Sequence, residues 1–422
     1  MKKRQFNIPS GIHGERAEKL KHAKNLFALG EKALQGGSID EGLIFYQEAF
    51  SISAGVLGID HAEVIRLAEM LAESLAEQGQ PAEAREFFAR SLATGRYDPE
   101  LPTLAALIDR LGNWFFSKDD LASARRYFEL ALDGFRQAYG PEDHRVIYGL
   151  QKLIGLLYNL GDLPAARTAL ERVLAIDERV FGKGHPRVAA DLSSLGRMLR
   201  EMGDLPGAAN HYRRALALHE QSIDPATLGD HPRLSADLAG LSEVLHEMHD
   251  YPAARAAYER LLVIDEHTYG RDHPKIAATL ASLCAVLRHM GDASAALKAC
   301  QRILEIEEHI YGSTGTRLLS ALENLGEMQR ATGDLAAAKA TLERALAVGE
   351  EGLGAENLRL TGILTGLGHV LLDLSDEVGA RAVYERALRI YENSMPADYP
   401  EPRSVREALE TLSRRSASGA AP

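Results

Sequence analysis

Cysteine is almost absent from this chain. Of 422 residues, only Cys284 and Cys300 carry thiols. Two thiols cannot build a disulfide framework, so the sequence implies a fold held by packing, with a reducing cytoplasm as the default location. Aromatic residues are also scarce, at 6% with one tryptophan. An Ala- and Leu-rich composition poor in aromatics favours helix over strand. No window approaches the ~18 uncharged apolar residues that a membrane span needs, so no membrane partner is expected. The basic opening MKKR is followed by no apolar stretch and does not read as a secretory signal. Positive charge is outweighed, with 48 Lys and Arg against 60 Asp and Glu and a net charge of −12. A general nucleic-acid binder displaces counterions with a basic face, and this balance argues against one. Nucleophile elbow, HExxH, phosphate-binding loop and dinucleotide glycine fingerprint are missing in any suitable context. The expectation is therefore no enzyme, no catalytic residue, no metal and no cofactor.

A repeat is what the sequence does have. GDLPAAR at 161–167 returns as GDLPGAA at 203–209, GDASAAL at 291–297 and GDLAAAK at 333–339. Looser copies put the same turn at 37, 79, 119, 249 and 375, so successive turns lie 42, 40, 42, 42, 46, 42, 42 and 42 residues apart. The long interval contains SIDPATLGD at 222–230, which lengthens one loop. Each unit reads as two helices. In 186–222, Pro186 suits a helix start, where a missing N–H costs nothing. Leu192, Leu195 and Leu199 form an amphipathic stripe. Gly203 suits the left-handed residue after a helix, and Asp204 can cap the next one. The second helix carries Ala208, Tyr212, Ala215 and Leu216 on one face. Pro81, Pro164, Pro206 and Pro252 should fall in first turns.

Gly196, Ala208 and Ala215, with Leu192, Leu195 and Tyr212, resemble the tetratricopeptide signature. The 42-residue period and the "G.DHP" linker resemble the kinesin-light-chain subclass, most clearly over 146–350 and more weakly over 22–395. The resemblance implies an all-α fold: a right-handed superhelical solenoid of about nine helix-turn-helix repeats. The expected layout is a flexible arm at 1–14, the array at 15–400, a capping helix at 401–414 and a disordered tail at 415–422. It further implies that first helices line a concave groove in which a partner protein or peptide lies. That family holds its ligand with asparagines in an LNNLA segment, and only Asn324 matches them here; the other copies read Ser193-Ser194, Ala239-Gly240 and Ala281-Ser282.

Carrying the inward positions over gives Asn113 and Phe116, then Tyr148, Gln151 and Tyr158, then Arg197 and Arg200. His246, Arg288, His289, Asn324, Arg330 and His369 follow. One register reads Arg200, His246, Arg288, Arg330, a cationic rail on an acidic chain. Arginine's planar fork grips carboxylates in pairs of parallel bonds, so an acidic and aromatic partner segment is expected, bound by a monomer. If the neighbouring glutamates, Glu323 and Glu327 among them, hold these arginines, recognition passes to Phe116, Tyr148 and Tyr158. The alternative function is a regulator that senses a signal peptide. His144, His185, His231 and His273, one per repeat beside Asp or Pro, read as helix-start devices rather than converging metal ligands. Cys284 and Cys300 sit at facing core positions, as gap-filling thiols or, with Cα atoms under about 7 Å apart, as a redox pair.

Overall fold

The structure is a computed structural model that describes residues 8–58, 61, 63–65, 67, 68, 71, 101–222, 232–395 and 403–418. The turn expected at 79, together with Pro81, lies outside them, as do His231 and nearly all of the 222–230 loop. The chain divides into two compact units, residues 1–198 and 199–422.

The described regular structure is helical. In the first unit, α1 (Glu15–Gln35) pairs with α2 (Ile39–Leu57), α3 (Leu101–Ser117) with α4 (Leu121–Tyr139), and α5 (His144–Asn159) with α6 (Leu163–Phe181). The unit boundary falls within α7 (Pro186–Glu201). The second unit continues with α8 (Leu205–Ser222), α9 (Pro232–Glu247), α10 (Tyr251–Tyr269), α11 (Pro274–His289) and α12 (Ala293–Tyr311). A 3-10 turn at Thr316–Leu318 leads into α13 (Leu319–Ala331), followed by α14 (Leu335–Leu353), α15 (Leu360–Asp373), α16 (Glu377–Ser394) and α17 (Arg403–Ser418). Each helix from α8 onward packs on the next in sequence. First helices of adjacent repeats also touch, as α13 does α15.

The turn within each pair has one geometry. Gly37, Asp119, Gly161, Gly203, His249, Gly291, Gly333 and Ser375 all have φ between 60° and 87°. These are the expected turn positions among the described residues. The next residue then caps the second helix: Asp120, Asp162, Asp204, Asp250, Asp292, Asp334 and Asp376 each accept a backbone N–H three residues on, at 2.9–3.3 Å. That removes one of the orphan donors of a helix start. Pro164 and Pro252 occupy the first turns of α6 and α10, as the sequence implies.

Within a pair, the helices touch where a small residue of the first faces a bulky residue sixteen positions later. A Cβ on Gly112 would lie 2.6 Å from the Phe128 ring, on Gly326 2.6 Å from Leu342, and on Gly368 2.5 Å from Tyr384. Ala254 and Ala208 are fully buried at the equivalent small positions of second helices.

The link between pairs is a second recurring device. A second helix ends on an aromatic residue, and six residues later a cation lies over its ring: Arg145 on Tyr139 at 3.8 Å, Arg187 on Phe181 at 5.4 Å, Lys275 on Tyr269 at 4.5 Å and Arg317 on Tyr311 at 4.7 Å. His185 and His273 do start helices, accepting the N–H of Arg187 and Lys275 at 3.2 Å. Asp143 does the same for Arg145 at 2.9 Å. Gly270, at φ 85° and ψ 162°, takes a backbone conformation essentially closed to other residues.

At the C-terminal end, α17 buries Val405 and Leu412 and packs on α16. It runs to Ser418, so residues 415–418, expected to be disordered from their Ser and Ala content, are helical. The apolar contact of the preceding turns carries the helix through them.

Asp119, His249 and Ser375 occupy a left-handed conformation that costs a β-carbon-bearing residue roughly 1–2 kcal/mol. Ser375→Gly should raise stability by about 1 kcal/mol, and Ala254→Leu, at a fully buried crossing, should lower it by about 1–3 kcal/mol. Chemical denaturation of both variants checks the repeat register: a neutral result at both positions contradicts it.

Candidate partner-binding site

The first unit carries a groove of about 660 Å³ on α3, α5 and α7, floored by Phe128 and Leu170 of the second helices. Five of the residues expected to face a partner line it: Asn113, Phe116, Gln151, Tyr158 and Arg197. Phe116 and Tyr158 are each 42% exposed, large rings left at the surface beside apolar side chains. Tyr148 lies outside the lining, 52% exposed, with the Lys152 ammonium 4.5 Å from its ring. Arg197 is exposed and makes no hydrogen bond or ion pair among the described residues.

At and beside the groove lie charges whose pairing sequence reasoning did not give. Lys152 meets Asp109 at 2.5 Å, both largely buried. Asn113 Nδ2 donates to the Asp109 carbonyl at 3.0 Å, which fixes the amide beside Phe116. Asp191 also lines the groove and is buried next to fully buried Asp177. Burial, together with the Asp177 carboxylate, pushes Asp191 up to about 7, while Arg187, 2.6 Å from Asp177, pulls the other way.

The second unit treats the rail differently. Arg200 donates from Nε at 2.9 Å and from Nη2 at 2.6 Å to Glu247, and from Nη1 to Glu243. Arg288 meets Glu327 at 3.2 Å, and Arg330 meets Asp373 at 2.5 Å. Glu323 is taken by Arg359 at 3.2 Å. The Arg members of the rail are therefore already neutralised by acids of the following first helix. His246 lies against His289 and Tyr251, with ring centroids 5.7 and 6.0 Å apart, and His289 stacks on Tyr251 at 4.9 Å. Arg288, Arg330 and His369 share a cavity of about 600 Å³ walled by Glu323, Glu327 and Met328. Burial, with Arg330 adding to it, lowers the His369 pKa. Asn324 falls in a separate cavity of about 250 Å³, beside Glu307 and Cys300. The sequence carried the signal for this pairing: Arg200 and Glu243, Arg330 and Asp373, and Asp109 and Lys152 are each 43 residues apart, one repeat plus one.

Profiles described as tetratricopeptide repeat match residues 23–96, 146–221, 275–351 and 317–393, and a second profile of that description matches 104–145 and 238–275. The chain belongs to the tetratricopeptide repeat family. Such repeats mediate protein–protein interaction. Similar solved structures include a Podosopora anserina protein described as a kinesin light chain with nearly identical TPR-like repeats. It is 17% identical, with a TM-score of 0.44, over 50% of this chain and 99% of that one. BtubC (BKLC) from P. vanneervenii is 23% identical, with a TM-score of 0.42, over 60% and 95%. The C-terminal part of a TPR repeat-containing protein from Cytophaga hutchinsonii is 14% identical, with a TM-score of 0.48, over 71% and 99%. No curated protein matches the chain significantly. Among the described residues no cluster of three or more His, Cys, Asp or Glu could hold a metal ion, and no helix is long and apolar enough to cross a membrane.

Asp191 generates a pH prediction. Its folded pKa, about 7, lies above the ordinary value of 3.8. Between those values the folded state holds a proton that the unfolded state has lost, so stability falls as pH rises from about 4 to 7. Asp191→Asn, whose amide can donate to Asp177 as the protonated acid does, should flatten that slope. Unfolding midpoints of wild type and variant across this range check it, and identical slopes would contradict the assignment.

Proposed function

We propose that this protein is a non-catalytic adaptor that holds an extended or short helical segment of a partner protein in the groove of its first unit. The observation that carries the reading is the contrast between two sets of inward residues. In the second unit the arginines are held by Glu243, Glu247, Glu327 and Asp373. In the first unit Phe116 and Tyr158, each 42% exposed, line the groove with Arg197, which makes no ion pair among the described residues. Exposed rings of this kind supply most of the energy of protein interfaces, and an arginine among them adds direction. The favoured segment carries an aromatic or large apolar residue next to a carboxylate. Asn113 and Gln151 offer amides for its backbone. The few thiols and the soluble composition favour the cytoplasm as its place of work. Peptide sensing by a regulator is the second reading, and the same groove would serve it.

Selection from a displayed peptide library tests the assignment. Wild type should enrich segments pairing an acidic with an aromatic or bulky apolar residue. Phe116→Ala with Tyr158→Ala should weaken their binding at least tenfold, about 1.4 kcal/mol or more. Arg288→Glu with Arg330→Glu should leave binding within about twofold while lowering stability modestly, since half-exposed pairs are worth about 0.2–1 kcal/mol each. The opposite ranking would return recognition to the arginine register.

A further inference from the structure

The two cysteines stand sixteen positions apart, at the register where other helix pairs cross closely. The crossing pairs a residue of the first helix with the residue sixteen later, as in Gly112 with Phe128, Gly326 with Leu342 and Gly368 with Tyr384. In the α11–α12 pair both positions are cysteine, and Cys284 Sγ lies 3.1 Å from Cys300 Sγ. At Gly112, Gly326 and Gly368 a missing side chain makes room for a large one. Here two medium side chains share the space, and the same helix approach presses their sulfurs together. Cys284 Sγ also lies 3.8 Å from the Ala296 carbonyl.

We propose that Cys284 and Cys300 are a reactive dithiol that hydrogen peroxide closes to a disulfide across the α11–α12 pair. A disulfide needs sulfurs at about 2.05 Å, roughly 1 Å closer than this contact, a movement within side-chain reach when both helices are already held at the crossing. Access comes from the cavity of about 250 Å³ that Cys300 lines with Ala277, Ala281 and Ser320. That space is several times the volume of a water-sized molecule, about 30 Å³. The hydrogen bond from Cys300, helped by the Arg288 charge, holds the Cys284 thiol below its ordinary value, and the same contact pushes Cys300 up. Cys300 is the sulfur that faces the cavity and Cys284 the one whose thiolate the contact favours, so either can take the first oxygen.

The chemistry balances with peroxide as the oxidant. One thiolate of the pair attacks one peroxide oxygen and breaks the O–O bond, giving a sulfenic acid and hydroxide, which takes a proton and leaves as water. The other sulfur then attacks the sulfenyl sulfur, its proton leaving with the displaced hydroxide as a second water. Two thiols lose two electrons in all, and one peroxide becomes two waters. A disulfide fixes α11 to α12 and restricts the unfolded chain, so the oxidised protein should melt at a higher temperature.

The test uses the full-length native chain treated with hydrogen peroxide, then blocked with iodoacetamide, denatured, digested and mass-mapped. The expected result is one cross-linked peptide joining Cys284 to Cys300, two hydrogens lighter than the thiol pair, restored by dithiothreitol, with a raised melting temperature before reduction. At least one of Cys300→Ser and Cys284→Ser should leave the remaining cysteine as a sulfenic acid that dimedone traps, which wild type does not accumulate. Two thiols that stay alkylatable after peroxide and denaturation would overturn the proposal and leave them as core filling. So would sulfinic acid at either cysteine without a cross-link.

Discussion

The crossing between the two helices of each repeat is the contact on which the rest of the molecule depends. At Gly112, Gly326 and Gly368 a residue without bulk lets the first helix approach the second, and the bulky residue sixteen positions on fills the space that the approach leaves. Gly112 with Phe128 and Gly368 with Tyr384 show how little tolerance there is, since even a β-carbon on either glycine would meet a ring atom at 2.5–2.6 Å. Close packing of this kind fixes each pair as a rigid unit. The pair still presents an apolar face that its neighbour must cover, so pairs stack in sequence order.

Charge then stitches the stack at the repeat spacing. Arg125 and Arg255 reach forward to Asp162 and Asp292, each already capping a second helix of the next repeat. Arg302, Arg344 and Arg386 reach back 36 residues, to Glu266, Glu308 and Glu350. Arg200 and Arg330 reach forward 43 residues to the next first helix. These arginines are used inside the scaffold. In the first unit the exposed rings of Phe116 and Tyr158 line the proposed partner groove with Arg197.

The fold could be read from the sequence because its determinants are local. The turn needs a left-handed residue, the following helix needs an acceptor at its start, and both recur within a seven-residue string. Even Asp119, His249 and Ser375, where glycine is replaced, keep the geometry because the string around them keeps the cap. The site was legible only in part. Asn113, Phe116, Gln151, Tyr158 and Arg197 come together because inward positions follow helical periodicity. The fate of Arg200, Arg288 and Arg330 depends on acids 39–47 residues away, and one helix turn of register decides whether those acids pair or face solvent. The Lys152–Asp109 pair sits at the 43-residue spacing, whereas the carboxyl pair of Asp177 and Asp191 has no repeat spacing to betray it. Each joins residues whose meaning appears only once two helices are side by side.

The central claim is that a partner segment lies in the groove of the first unit. Site-specific photo-crosslinking reads this directly. A benzophenone amino acid replaces Gln151, which lines the groove, and in a second variant Val263, which is 69% exposed on α10. The account predicts that a peptide selected by the wild-type chain cross-links from position 151 and not from position 263. Cross-linking from 263 alone, or equally from both, would contradict it.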